Sequence, residues 1–329
     1  MTQTPRQSLA RLVWLVLLAL VVPCACVFLG PEGFGLPDLQ TPIGRALLTL
    51  RLHRIATGFV VGAALAVSGA VFQAVLRNPL ADPYVLGISG GGALGAAIAI
   101  LFGWYAIHPM LLPLNAFVGA GVTLIIVYAL AAYDGAPTIY GLILSGVIVS
   151  AMASSLLMLL LSLSSVEGLH SVTWWTLGNL QGSSPQLLAA CALCSCIGIA
   201  ASAGMARDLN ALALGAPMAH HLGVRPDRTA ALALAAATLA AAAAVALAGL
   251  IGFVGLIVPH AMRHWIGADH RRLLWGSALA GGAMLVLCDT LARLLMAPRE
   301  LPVGVITALV GGPFFLVLLR SRRQKWSVG

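Results

Sequence analysis

The sequence predicts an all-α integral membrane protein of ten spans, forming a single transmembrane domain over residues 1–329. Its 329 residues are 60% apolar and only 9% charged, against about 25% charged in an average soluble domain. A water-facing surface cannot be assembled from so few charges, and the mean hydropathy of +0.99 agrees. Apolar runs recur along the whole chain, separated by charged residues or by Gly and Pro. A helical span needs roughly 20 residues, so the length has room for about ten with short connections.

The first run covers 12–30. Arg6 and Arg11 flank it as in a secretory signal, but the run is long for a signal core and no convincing cleavage pattern follows Ala25, so a retained span is expected. The second covers 55–76 and ends at Arg77-Asn78-Pro79. The third is 88–106, before His108-Pro109, and the fourth is 111–132, stopped by Asp134-Gly135. The fifth is 138–163 and the sixth 187–205, before Arg207-Asp208. The seventh, 229–249, is alanine-rich and runs into a glycine-rich stretch. A short eighth at about 256–267, a ninth at 273–297 and a tenth at 303–319 complete the set.

Charge fixes the orientation. With the N-terminus in the cytoplasm, alternate threading puts 13 basic residues inside: Arg6, Arg11, Arg77, Arg207, Arg225, Arg228, Arg263, Arg271, Arg272, Arg320, Arg322, Arg323 and Lys325. Five fall outside: Arg45, Arg51, Arg54, Arg293 and Arg299. The excess follows the positive-inside rule, and an even span count keeps the basic C-terminal tail inside. The net charge of +8 is then an orientation signal beside anionic lipid and needs no nucleic acid. The five outer arginines either snorkel to headgroups or form a basic surface for an acidic partner.

Between the sixth and seventh spans, Leu214-Gly215-Ala216-Pro217-Met218-Ala219-His220-His221-Leu222-Gly223 reads as a short capped helix. Pro217 suits a first turn and Gly223 a left-handed end. Such a helix at the cytoplasmic face is a lever for a partner protein. The echo of residues 64–69 in 246–249, on spans of opposite direction, hints at inverted-repeat halves.

Several chemistries are excluded. The only lysine is Lys325, with no P-loop around it, so this chain does not hydrolyse ATP by that route. Gly90 to Gly95 fits G-x-G-x-x-G but follows no strand; close helix packing through Gly87, Gly91 and Gly95 explains it better. Cys191-x-x-Cys194 and Cys194-x-Cys196 lack the partners of a metal set, as do Cys24, Cys26 and Cys288. His260 and His264 have ligand spacing on a helix, but Ala261 stands where a zinc protease needs Glu and no third ligand is evident. No catalytic or metal residue and no bound cofactor are expected. Asp289 lies within a span, where a charge is costly; it is either functional or paired with Arg293 one turn on.

The following residues together resemble the FecCD family of ABC-importer permeases for iron chelates, haem and cobalamin: Arg51-Leu52-His53-Arg54; Gly62 to Gln73; Arg77-Asn78-Pro79-Leu80-Ala81-Asp82-Pro83; Leu86-Gly87-Ile88; Trp175 with Leu177-Gly178; Leu214-Gly215 with Leu222-Gly223; Gly252 to His260; Asp269-His270-Arg271; and Glu300-Leu301-Pro302-Val303-Gly304. The resemblance implies ten helices per chain and a homodimer around one pathway. It also implies two cytoplasmic ATPase subunits, which hold the ATP and magnesium, and a periplasmic binding protein that delivers the ligand. It puts the chain in the bacterial inner membrane with both termini cytoplasmic. Position by position, Arg51, Arg54 and Arg293 match arginines that dock the binding protein. Asn78 and Leu80 match the cytoplasmic gate. Residues of about 207–228, with Leu214, Gly215, Ala219, Leu222 and Gly223, match the segment that couples to the ATPase. His53 departs from the family, which usually has Pro there.

Trp174-Trp175-Thr176-Leu177-Gly178 is similar to the haem branch, although Asn179 replaces the usual Ser. Haem is therefore ranked before siderophores and cobalamin. His53 and His170 are candidates to touch haem iron or are plain polar surface residues. The rival classes are an ion-coupled secondary transporter, which would call for more buried acids than Asp289, and a membrane enzyme, which would need a nucleophile or metal set.

Overall fold

The computed structural model describes residues 5–30, 33–133, 135, 137–181 and 183–326. Asp134, the expected stop of the fourth span, lies outside them, as do the side chains of Arg6, Arg320, Arg322, Arg323 and Lys325. In order, the elements are α1 (Pro5–Val27), the antiparallel strands β1 (Leu29–Gly30) and β2 (Gly33–Phe34), α2 (Pro42–Val75), a 3-10 turn (Pro83–Leu86), α3 (Ile88–Leu101), α4 (Trp104–Ile107) and α5 (Leu111–Ala131). Then come α6 (Ile139–Ser162), α7 (Val166–Thr176), α8 (Pro185–Gly204), α9 (Ala206–Ala213), α10 (Ala216–His221), α11 (Pro226–Ala248), α12 (Val254–Ile266), α13 (His270–Leu294) and α14 (Val303–Trp326).

Each stretch expected as a span lies on a helix. Six helices, α2, α5, α6, α8, α11 and α13, are long and apolar enough to cross a membrane. Shorter apolar stretches, Val13–Val27, Ile88–Leu101 and Val303–Val317, accompany them, and α12 has only 13 residues. Side-chain caps mark many of the starts: Thr41, Thr138, Ser165, Ser184 and Asp269 each accept a hydrogen bond from a first-turn amide, satisfying donors that a helix start leaves open.

Several boundaries differ from the sequence reading: α1 starts at Pro5 and α14 reaches Trp326, and two more differences have a clear cause. The second helix begins at Pro42, not near 55, and runs 34 residues. Arg45, Arg51 and Arg54 interrupt the apolar run but not the helix, which Thr41 and Pro42 start earlier. The third ends at Leu101 because Gly103 turns left-handed (φ 69°), and α4 follows as a separate turn.

α2 is the hub. In its most apolar window 78% of residues are buried, with 72% for α11 and 67% for α13, against 22% for each of α5, α6 and α8. The first three form the centre. The other three turn side chains such as Ile125, Leu144 and Leu193 outward, a surface suited to hydrocarbon or a second subunit. Small residues set the closest approaches. A Cβ on Gly62 would lie 2.2 Å from the Gly281 carbonyl oxygen, and one on Gly281 would lie 2.4 Å from that of Gly62, so α2 and α13 touch backbone to backbone. α3 and α5 do the same at Gly91 and Gly119, and Gly95 meets the Asn115 backbone. Of the three glycines expected to pack helices, Gly87 also closes the 3-10 turn and opens α3, with a Cβ there lying 2.6 Å from Thr123 Cγ2 on α5.

Residues 249–253 join α11 to α12 without helix. Their polar backbone needs partners inside the protein. Tyr84 supplies them: its hydroxyl donates to the Ile251 carbonyl and accepts from the Ile251 amide, each at 3.1 Å.

Candidate functional site

The charged residues gather at two levels of α2, around Arg54 and just beyond Val75, about 32 Å apart. At the first end, Arg54 Nη2 donates to Asp289 Oδ1 on α13 at 2.7 Å, and Arg54 Nη1 to Glu300 Oε2 at 2.7 Å. Asp289 Oδ2 also lies 3.2 Å from Arg293 Nε, and Arg293 Nη2 donates to Thr290 Oγ1. Arg51 Nη1 donates to the carbonyls of Val27 and Gly35, both at 3.0 Å. Burial explains the closure of this set, since a desolvated charge is tolerated only with partners around it. Asp289 and Arg293 do pair, one turn apart, while no spacing rule points to Arg54 as the second and closer partner.

The three expected docking arginines are thus brought together, but they face this chain's own acceptors. Arg51 and Arg293 are buried, and Arg54 is largely covered. Glu300, appearing in the sequence reading only as part of a motif, is the most accessible member, and Gln181 also donates to it. Arg45 and Arg299 are exposed at this end.

Beside this cluster is a cavity of about 550 Å³ between α7, α8, the end of α11 and the start of α5. Tyr105, His170, Trp174 and Trp175 line it. The His170 ring stacks on Trp174 with centroids 6.3 Å apart and planes at 8°. Gln181 and Ser183 also line it, and Ser183 Oγ lies 2.8 Å from His53 Nε2. The cavity and the ion-paired cluster therefore share a wall.

At the other end, α2 closes with Asn78 N bonded to the Gln73 carbonyl and Arg77 N to that of Ala74. This closure puts its next residue in the left-handed region, a place usually held by glycine. Here it is Arg77, φ 47°, whose guanidinium lies against Gly215. Asn78 Oδ1 accepts from the Leu80 amide at 3.0 Å, fixing the turn, and Leu80 is exposed.

The 207–228 segment folds as α9, α10 and the first residues of α11. Pro217 is in the first turn of α10. Gly223 is left-handed (φ 80°), and Val224 N and Gly223 N bond back to Ala219 and His220. Ala219 is fully buried and anchors the helix, while Leu214, Met218 and Leu222, spaced by four, are 68%, 50% and 60% exposed. Asn210 ties α9 to α13: its Nδ2 donates to Asp269 Oδ1 at 2.7 Å and its Oδ1 accepts from the His270 amide at 2.9 Å. No spacing rule reveals that link. A second cavity, of about 790 Å³, is bounded here by Arg77, Asn78, Tyr140, Ala216 and Asp227.

The His260 and His264 rings stack 5.9 Å apart, and among the described residues no group of three or more His, Cys, Asp or Glu could hold a metal ion. The six cysteines are free thiols.

The pattern of the FecCD transport family matches residues 18–321. The chain is 44% identical over 303 residues to the cobalamin import system permease protein BtuC of Halobacterium salinarum, covering 91% of this chain and 79% of that one. It is 41% identical over 287 residues to the hemin transport system permease protein HmuU of Yersinia pestis, covering 84% of each. A solved structure described as an inward-facing conformation of a metal-chelate type ABC transporter superposes with a TM-score of 0.86 at 32% identity, over 94% of this chain and 98% of that one.

Proposed function

The chain belongs to the FecCD transport family, and from that premise we propose that it is the permease subunit of an ABC importer that moves a bulky metal chelate, haem favoured, into the cytoplasm. It spans the bacterial inner membrane ten times with both termini cytoplasmic, and it works as a homodimer with inverted-repeat-like halves. Two ATPase subunits carry the ATP and magnesium, and a periplasmic binding protein delivers the chelate. The observation that carries the reading is the exposed apolar set of Leu214, just before a capped, anchored helix, Met218 on it and Leu222 at its C-terminal cap. That set lies at the Arg77 end, which the charge distribution assigns to the cytoplasm. Apolar residues exposed together to water call for a protein partner.

In this reading the Arg54 end receives the binding protein, through Arg51, Arg54 and Arg293. Asn78 and Leu80 form the cytoplasmic gate, and Leu214, Gly215, Ala219, Leu222 and Gly223 transmit closure of the ATPases. Two packings of the dimer, open to one side or the other, are the bistable element. The ion-coupled alternative is weakened by Asp289. It is the least exposed acid among the described residues, and it is held between Arg54 and Arg293, leaving it unsuited to carry an ion.

The test is reconstitution with the ATPase and binding protein, measuring ATP hydrolysis and uptake with haem, a ferric siderophore and cobalamin. Stimulation by haem supports the assignment. Uptake that persists without any ATPase subunit sinks it. Cobalamin is the second reading, favoured by the identity to the Halobacterium permease.

A further inference from the structure

We infer that the cavity beside α7 is a receiving site for a planar metal chelate with an open axial position, with His170 supplying the axial ligand. The inference rests on the importer reading above and narrows its substrate to the metalloporphyrin class. The cavity volume of about 550 Å³ falls in the usual range for small-molecule sites, roughly 300–1,000 Å³. Tyr105, Trp174 and Trp175 offer aromatic faces for a flat conjugated ligand. His170 lines the cavity, stacks on Trp174, and has no hydrogen-bond partner among the described residues, so a ring nitrogen is available to a metal. His53 and His108 are the other histidines near this end: His53 has its Nε2 engaged by Ser183, His108 Nδ1 accepts from the Met110 amide, and neither lines the cavity. The site adjoins the charged cluster through Gln181 and Ser183, where a ligand delivered to that end would first arrive.

The chemistry selects the ligand. A ferric porphyrin fills four equatorial positions and leaves an axial one to water or chloride. The imidazole nitrogen donates its lone pair to iron, the bond from iron to water or chloride breaks, and the oxidation state does not change. Histidine is an ordinary axial ligand for haem iron. A hexadentate ferric siderophore has no position to give, so it gains nothing from His170.

The test titrates ferric haem into the purified permease–ATPase complex and follows the Soret band. The wild-type complex is expected to show the band of imidazole-ligated ferric haem. His170→Ala should lose that signature and weaken binding at least about tenfold, the scale of losing support at a metal ligand. His53→Ala should change neither. His170 and His53 are both clear of the core, and a matched gel-filtration profile checks folding. A wild-type spectrum without imidazole ligation, or one unchanged in His170→Ala, overturns the site. If haem still stimulates ATP hydrolysis and uptake in either case, the importer reading stands. If no chelate stimulates hydrolysis, that reading falls by itself.

Discussion

Arg54 and Asp289, 235 positions apart in sequence, meet at 2.7 Å and join the end of α2 to the end of α13. Asp289 holds two arginines, so removing it leaves Arg293 buried without its ion-pair partner and Arg54 with Glu300 alone. Asp289→Ala is expected to destabilise the permease by about 3–5 kcal/mol, the range for breaking a buried pair from one side. Arg54→Ala should cost less, because Arg293 still neutralises Asp289. Thermal unfolding of the detergent-solubilised protein measures both, and equal losses would show that the pairing with Arg54 dominates alone.

Glu300 occupies Arg54 as a carboxylate of an acidic partner would. Glu300→Gln is therefore expected to tighten binding-protein docking about 2–5-fold, equivalent to the roughly 0.5–1 kcal/mol of a partly exposed ion pair. Reversal of Arg54 to Glu is a poorer probe, since it sets a new carboxylate against Asp289 and Glu300. Surface plasmon resonance with the binding protein reads the change, and weaker docking of Glu300→Gln would count against an exchange of carboxylates.

The α2–α13 contact has no room for one more carbon. Gly62→Ala should lower stability by about 1–3 kcal/mol, as overpacking does, because the new Cβ would sit 2.2 Å from the Gly281 oxygen. Gly121→Ala on α5 is the control: nothing lies within 4 Å of its Cβ position, and alanine suits a helix better than glycine. A melting curve that moves equally for both would refute the backbone contact.

Asn210, on α9 within the 207–228 segment proposed to couple to the ATPase, is linked to the capped start of α13. The other end of α13, at Asp289, is about 29 Å away. Asn210→Ala is expected to leave docking unchanged and ATP turnover running while chelate taken up per ATP falls several-fold. Asn210→Asp, which repels Asp269, should do so more strongly. The ratio of uptake to hydrolysis in liposomes decides, and an unchanged ratio removes Asn210 from the transmission.

The positions of the apolar helices were legible because composition repeats locally, and the Pro217–Gly223 cap because turn chemistry is local too. What escaped was long-range. The apolar pattern places the start of α2 late because Arg51 and Arg54 read as lying just ahead of the span, whereas the helix passes through them by pairing with groups far away in sequence. Tyr84 serving Ile251 and Asn210 serving Asp269 have no periodic signature at all. Family resemblance singles out Arg51, Arg54 and Arg293 by position and not by burial; their internal partners are a property of the packed chain.

α12 also bears on how the protein is made. Its 13 residues rise about 20 Å, short of a hydrocarbon layer roughly 30 Å thick. It cannot be released sideways into lipid as an independent segment during synthesis. The Ile251 backbone ahead of it is satisfied by Tyr84, which emerged from the ribosome far earlier. The partner of this backbone is therefore already part of the chain when the region arrives, and α12 seats against α2 and α13 rather than crossing alone.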